Sequence, residues 1–140
     1  MSKLAFNKLG LVKNTNISTI NYNGQEIEVK QYLPVNDKLA LIANVINNSG
    51  DDNNFANPMK ISVYAVLEII GTYTNISWTE KQKEDPCKLY DLLVANGLSS
   101  LILNAIPAAE LNEVLTGIED TVNAYYQYRN SVLGMLEAIS

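Results

Sequence analysis

From Ala108 to about Ala138 the sequence holds a helical period, and no other feature limits the fold as strongly. Leu111, Val114, Leu115, Ile118, Val122, Tyr125, Val132 and Leu136 fall along one face of that helix. A helix of some thirty residues is about 45 Å long at 1.5 Å per residue, whereas a compact domain of this chain length is about 30–35 Å across. Gly117 and Gly134 each cost roughly 1 kcal/mol relative to alanine and mark where the helix could bend. Either the helix breaks near a glycine, or its far end packs on something else.

The 107 residues before it must supply a body for this helix to rest on. A chain of 140 residues is read as a single domain, 1–140, able to bury roughly 68–70% of its unfolded surface in one core. Hydrophobic residues at 47% and charged residues at 18% describe a globular chain rather than a disordered one. No apolar run reaches the roughly 18–20 residues of a membrane span, and MSKLAFNKLGLVKNTN lacks the apolar core and cleavage site of a signal peptide. The expected location is therefore the cytoplasm. A single cysteine, Cys87, fits a reducing compartment, so the sequons at Asn16, Asn47 and Asn75 are read as chance matches.

The clearest local signal is ISTINYNGQEIEVKQY, in which Asn23-Gly24 predicts a type I′ hairpin. Its register sets Tyr22 against Gln25, Ile20 against Ile27 and Ser18 against Val29. One face then carries Ile20, Tyr22, Ile27 and Val29, and the other Thr19, Asn21, Glu26 and Glu28. Residues 1–16 are read as a mobile N-terminal segment, 17–33 as the hairpin and 36–139 as a helical body. Pro34 ends the strand, and Asn36 is expected to cap the first helix, with Asp37 in its first turn. Val35, Leu39, Ile42 and Ile46 are predicted to form its inner face, with Gly50 at the C′ position.

A polar loop, 49–57, leads to Asn57-Pro58, an N-cap followed by proline at the first helical position. The segment MKISVYAVLEIIGTY is apolar nearly all round and should be the central helix, ended by TNISW. Thr79 and Gln82 have capping-box spacing, and Asp85-Pro86 starts a helix through Asn96 with Leu89, Leu92 and Leu93 inward. Gly97 stops it. LSSLILNAI is a further short helix ended by Pro107. The expected fold is α+β, mainly α: an N-terminal β-hairpin packed on a bundle of about five helices with a long C-terminal helix.

Catalytic chemistry is poorly represented. The absence of histidine removes the commonest general base, the usual nucleophile pairs and most zinc sites. Cys87 near a helix start could be reactive, but the sequence sets no base beside it, and a small residue at a helix start is the plainer reading. Asp51-Asp52-Asn53-Asn54 clusters oxygen ligands but lacks the alternation, central glycine and distal glutamate of a calcium loop. Glu113, Glu119 and Asp120 fall on the outer face of the last helix, without forming an acid-base pair. Glu68 interrupts the apolar helix, either as a buried carboxylate with a raised pKa or at the exposed edge, which is the commoner case. An enzyme is not expected, and no cofactor or metal.

Net charge is −5, and the ten basic residues are dispersed, which argues against nucleic acid and against an anionic membrane. Aromatic residues point elsewhere. Tyr125, Tyr126, Tyr128 and Arg129, with Val132 beyond them, crowd the last helix, and at 100° per residue they cannot all face one core. Exposed Tyr and Arg are enriched at binding hot spots, so these five are the candidate partner-binding residues. A tyrosine row straddling the core boundary is the alternative.

The hairpin, the passage IEVKQYLPVNDKLALIANVIN, the segment WTEKQKEDPCKLYDLLVANGL and the closing VNAYYQYRNSVLGMLEAI resemble small tail-assembly proteins of phages and prophages of low-GC Gram-positive bacteria. The bias toward Asn, Ile, Lys and Tyr, typical of AT-rich coding sequences, points the same way. The resemblance runs from about Ile17 onward. It implies a non-enzymatic tail assembly chaperone that binds a helical tape-measure protein in the bacterial host cytoplasm and leaves as the tube forms. It carries over no catalytic residue. Two alternatives stay open: a minor virion protein, for head-tail joining or decoration, or a phage-encoded intracellular regulator. A protein partner is expected in each case, and a homo-oligomer is compatible with all.

Overall fold

The structure, a computed structural model, describes residues 1–50 and 57–139, with the side chains of 126, 128–134 and 136–139 outside the description. Strands β1 (Ile17–Tyr22) and β2 (Gln25–Lys30) form the hairpin in the expected register, Tyr22 opposite Gln25 and Ile20 opposite Ile27. Asn23 and Gly24 adopt φ of 51° and 78°, the pair of left-handed conformations that a type I′ turn requires. Ile27 and Val29 are buried, while Glu26 and Glu28 are exposed. The alternation in sequence has become an inside and an outside.

The hairpin is tied to the body by its neighbours rather than by strands. Past the second helix, the Glu28 N–H donates to Asn75 Oδ1 at 3.0 Å, and the Asn75 amide donates to the Glu26 carbonyl at 3.4 Å. Thr74 forms an isolated bridge with Val29. Residues 1–16 hold one 3₁₀ turn, Phe6–Leu9, and are exposed throughout.

Helix α1 (Val35–Ser49) differs from expectation in three ways. Its first residue is Val35 rather than a residue after Asn36, and Pro34 takes the cap position, its carbonyl accepting from Asp37 N–H and Lys38 N–H at 3.0 and 3.1 Å. The inner face is also rotated. Val35 and Leu39 remain 60% and 59% exposed, while Lys38, Leu41, Val45 and Ser49 are buried, with Ile42 and Ile46 half-buried beside them. The turn is driven by Lys38, which has a charged partner inside the body. Gly50, finally, has an extended backbone (φ −79°) and does not close the helix in the left-handed region.

Helix α2 (Pro58–Tyr73) begins as its sequence indicates: Asn57 accepts from Met59 N–H and Lys60 N–H, and Pro58 holds the first position. It is the axle of the fold. One side joins Ile27, Val29, Leu41, Val45 and Val114 in a core cluster through Ala65, Ile69 and Tyr73. The other joins Leu93 and Ile102 through Val63, Leu67 and Ile70. A helix with a core on both sides must be apolar nearly all round, which accounts for its composition. Each such aliphatic side chain stabilises the fold by roughly 1.5–3 kcal/mol when fully buried.

Helices α3 (Glu80–Lys83), α4 (Pro86–Ala95) and α5 (Leu98–Ala105) follow. Thr79 and Gln82 form a reciprocal capping box, and Asp85 caps α4 through Lys88 N–H. Leu93 points inward as expected, but Leu92 is 55% exposed, because α4 is too short and too peripheral to bury two adjacent leucines. Gly97, at φ 72°, joins α4 to α5 in a conformation that other residues adopt at a cost. After Ile106 and Pro107 the chain turns through 108° into α6 (Ala108–Ile139).

Helix α6 runs for 32 residues without a break at either glycine. A Cβ built at Gly117 would stand 2.6 Å from Ile42 Cδ1, so the missing side chain makes room for Ile42 of α1 against α6. Val114 and Ile118 are buried and Val122 is half-buried. Leu115 and Tyr125, predicted on the same face, are each 42% exposed. The body is too small to cover the whole face. The fold is α+β and mainly α, a two-stranded antiparallel hairpin with six α-helices among the described residues.

Candidate functional site

Three places in the molecule bring polar or apolar groups together in a way that a packed core alone does not require. The first is a buried ion cluster. Lys38 Nζ lies 3.1 Å from Glu110 Oε2 and 3.4 Å from Glu113 Oε2, with the side chains of Lys38 and Glu110 only 6% and 7% exposed. Glu110 Oε1 accepts from the Leu33 N–H and from the Tyr73 hydroxyl, both at 2.8 Å. The Tyr32 ring closes the outside, 4.4 Å from the ammonium.

Burial opposes the charge on Lys38, but its hydrogen bonds and the charges of Glu110 and Glu113 outweigh that penalty and raise its pKa above the usual value. Burial and the neighbouring carboxylates push the Tyr73 hydroxyl well above the usual phenol range. These groups are held in their resting protonation states. Chemically the cluster is a clamp, fastening the link after β2 at Leu33, α1, α2 and α6 to a single carboxylate. Neither Lys38 nor Glu110 stood out in the sequence, although each heads an apolar stripe on its helix.

The second place is a cleft of about 420 Å³ lined by Tyr64, Glu68, Trp78, Lys83 and Leu89, among others. Glu68 is half-buried, between its two expected states. Burial raises its pKa, opposed by a hydrogen bond to Asn44 and the charge of Lys83. One carboxylate with an aromatic wall can receive a polar group, and among the described residues no second carboxylate lines the cleft.

The third is an apolar groove of about 430 Å³ between α2 and α6, walled by Pro58, Ile61 and Ala65 on one side and by Leu115, Ile118 and Val122 on the other. Helix α6 continues beyond the groove, and Tyr125 is exposed on that stretch. The side chains of Tyr126, Tyr128, Arg129 and Val132 lie outside the described residues, and so does the whole of Asp51–Asn54. Cys87 is exposed in the first turn of α4. Glu119 and Asp120 are exposed, while Glu113 is engaged by Lys38. Among the described residues no group of three or more His, Cys, Asp or Glu side chains could hold a metal ion.

Comparison with protein-family models, with curated proteins and with solved structures returns no match.

Proposed function

We propose that this protein is a non-enzymatic phage morphogenesis factor, a tail assembly chaperone that binds a helical tape-measure protein in the bacterial cytoplasm and keeps it soluble until the tail tube encloses it. The observation that carries the reading is the overhang of α6. Its 32 residues are about 48 Å long, more than the body can cover, and the part past Val122 holds an exposed Tyr125 beside Tyr126, Tyr128 and Arg129 in sequence. Large side chains with polar tips, on a rigid helix, give contact area at low entropic cost. A tape-measure protein presents amphipathic helices, and a helix lying along a helical face is a standard recognition mode. The resemblance described above supplies the identity of the partner.

Co-expression tests the proposal. The chain should raise the soluble yield of the long helical tape-measure protein encoded beside it, and should be missing from purified virions by mass spectrometry. Replacing Tyr126 and Tyr128 with serine should lower the captured fraction several-fold with an unchanged far-UV spectrum. Fixed copies of the chain in mature virions would replace the chaperone reading with that of a structural subunit.

A further inference from the structure

The two edges of the hairpin are built differently. The Gln31 N–H donates to the Asn16 carbonyl at 3.0 Å, so that pair and every second pair after it, 18–29, 20–27 and 22–25, exchange the ladder hydrogen bonds. The main-chain groups of Glu26 and Glu28 then face outward from β2, and those of Ile17, Thr19 and Asn21 face outward from β1. On β2 that edge is closed. Asn75 holds the Glu28 N–H and the Glu26 carbonyl, and Glu26, Glu28 and Lys30 add charge. On β1, among the described residues, no hydrogen bond reaches the outward groups, and ISTINY has neither a charge nor a proline to repel an added strand.

Burial shows the same asymmetry. On the inner face of β2, Ile27 and Val29 are buried, whereas Ser18, Ile20 and Tyr22 on the inner face of β1 are only half-buried. Strand β1 lies at the rim of the body, with apolar surface left over beneath its open edge. The sheet is one strand short.

We propose that a second copy of this chain supplies that strand, β1 pairing antiparallel with the partner's β1 about a two-fold axis at Thr19 to form a four-stranded sheet. Centred there, Thr19 meets the partner's Thr19 and Ile17 meets the partner's Asn21. All three outward-facing residues of each copy are paired, and each pair exchanges two N–H···O bonds. Shifting the register by two residues sets an outward residue against the partner's Asn23 in its turn, or against the partner's Thr15 before its strand. On the inner face, Ile20 comes diagonally beside the partner's Ile20 and covers the surface that the body leaves open.

The occupant follows from what the edge accepts. A helix spends its main-chain groups internally, so the helical partner proposed above does not fit this edge. A pair of β1 strands leaves a β2 edge on each side, both closed by Asn75, so growth stops at two copies. Five paired residues from each copy cover less than the roughly 1,200 Å² of a stable specific interface. The exposed Leu9, Leu11 and Val12, in the segment leading into β1, add to it, because antiparallel pairing carries that segment toward the partner's turn. Self-pairing needs no other protein, so its failure leaves the tape-measure reading standing.

Sedimentation equilibrium of the purified chain at tens of micromolar should give twice the 15.5 kDa chain mass. Thr19→Lys, at an exposed position, sets like charges together on the axis and should give the single-chain mass. Thr19→Pro removes an outward N–H, leaves the hairpin's own ladder in place, and should do the same with an unchanged far-UV spectrum. In a Cys87→Ser background, Thr19→Cys should oxidise to a covalent dimer, since the two Cα atoms of such a pair stand about 5.5 Å apart, within disulfide range. Asn21→Cys should not, because the two cysteines would lie four residues apart along the ladder, about 13 Å. A monomeric wild-type chain, a dimer that survives both the lysine and the proline variant, or cross-linking through Asn21→Cys but not Thr19→Cys would each overturn the proposal.

Discussion

Lys38 Nζ donates to Glu110 Oε2 at 3.1 Å, joining the first turn of α1 to the first turn of α6 across seventy-two residues of sequence through two largely buried side chains. Because Glu110 also receives the Leu33 N–H and the Tyr73 hydroxyl, four segments of the chain meet at one side chain. A buried ion pair often contributes little compared with a well-packed apolar replacement, but removing one partner leaves an unpaired charge.

Replacing Glu110 with leucine should destabilise the protein by about 3 kcal/mol, toward the low end for a broken buried pair, because Lys38 keeps only the exposed Glu113 carboxylate at 3.4 Å. Glu110→Gln keeps an acceptor for Leu33 and Tyr73 and should cost less. Adding Lys38→Met to Glu110→Gln should recover much of the loss. Urea denaturation of the parent, Glu110→Gln, Lys38→Met and the double variant measures the coupling, and additive effects would mean that the pair is not a unit.

Alkaline pH should weaken the fold through the same cluster. Lys38 and Tyr73 both hold their protons more tightly when folded than when unfolded. Their stabilisation is complete below their unfolded values, about 10, and falls as pH rises beyond them, where the unfolded chain binds fewer protons than the native one. Unfolding free energies between pH 7 and 11 should decline above about pH 10, with a shallower slope in Tyr73→Phe.

Glu68 should behave in the opposite sense to a salt-bridged carboxylate. Its pKa is raised by burial, so ionisation costs the native state more than the unfolded state, and stability falls as pH climbs through the usual carboxylate range. Glu68→Gln should be more stable than the parent at pH 7 by less than about 1 kcal/mol, and the difference should close below about pH 4. Thermal melts at the two pH values decide it.

Gly97 isolates a backbone effect. Nothing lies within 4 Å of a Cβ built there, yet its φ is 72°. Gly97→Ala should cost about 1–2 kcal/mol through conformation alone. Gly97→Asn should cost less, since asparagine tolerates this region.

Much of the fold could be read from local chemistry. Asn23-Gly24 fixed the hairpin register, Asn57-Pro58 and Asp85-Pro86 marked two helix starts, and the all-round apolarity of α2 placed it in the middle. What misled was ranking by hydrophobicity alone. Leu39 and Leu92 outrank Lys38 and Glu110 as core residues, yet the leucines are exposed and the ions are buried. A lysine is driven inward only by a carboxylate, and the two lie on different helices, so neither stripe reveals the pairing. The sequence did carry a hint, since Lys38 precedes Leu41 and Val45, and Glu110 precedes Val114 and Ile118, at helical steps. The length of α6 was legible from its helical period, which left open the break at a glycine that the helix does not make. Its four outer candidates, Tyr126, Tyr128, Arg129 and Val132, have side chains outside the described residues, so only Tyr125 can be compared with expectation.

The Asn75 side chain has a consequence for how the protein behaves at high concentration. By engaging the Glu28 N–H and the Glu26 carbonyl it occupies the outward edge of β2, where an additional extended segment would otherwise dock. Substituting Asn75 with alanine would expose that rim, and ribbon-to-ribbon stacking into fibrils would then have a template that the native molecule withholds.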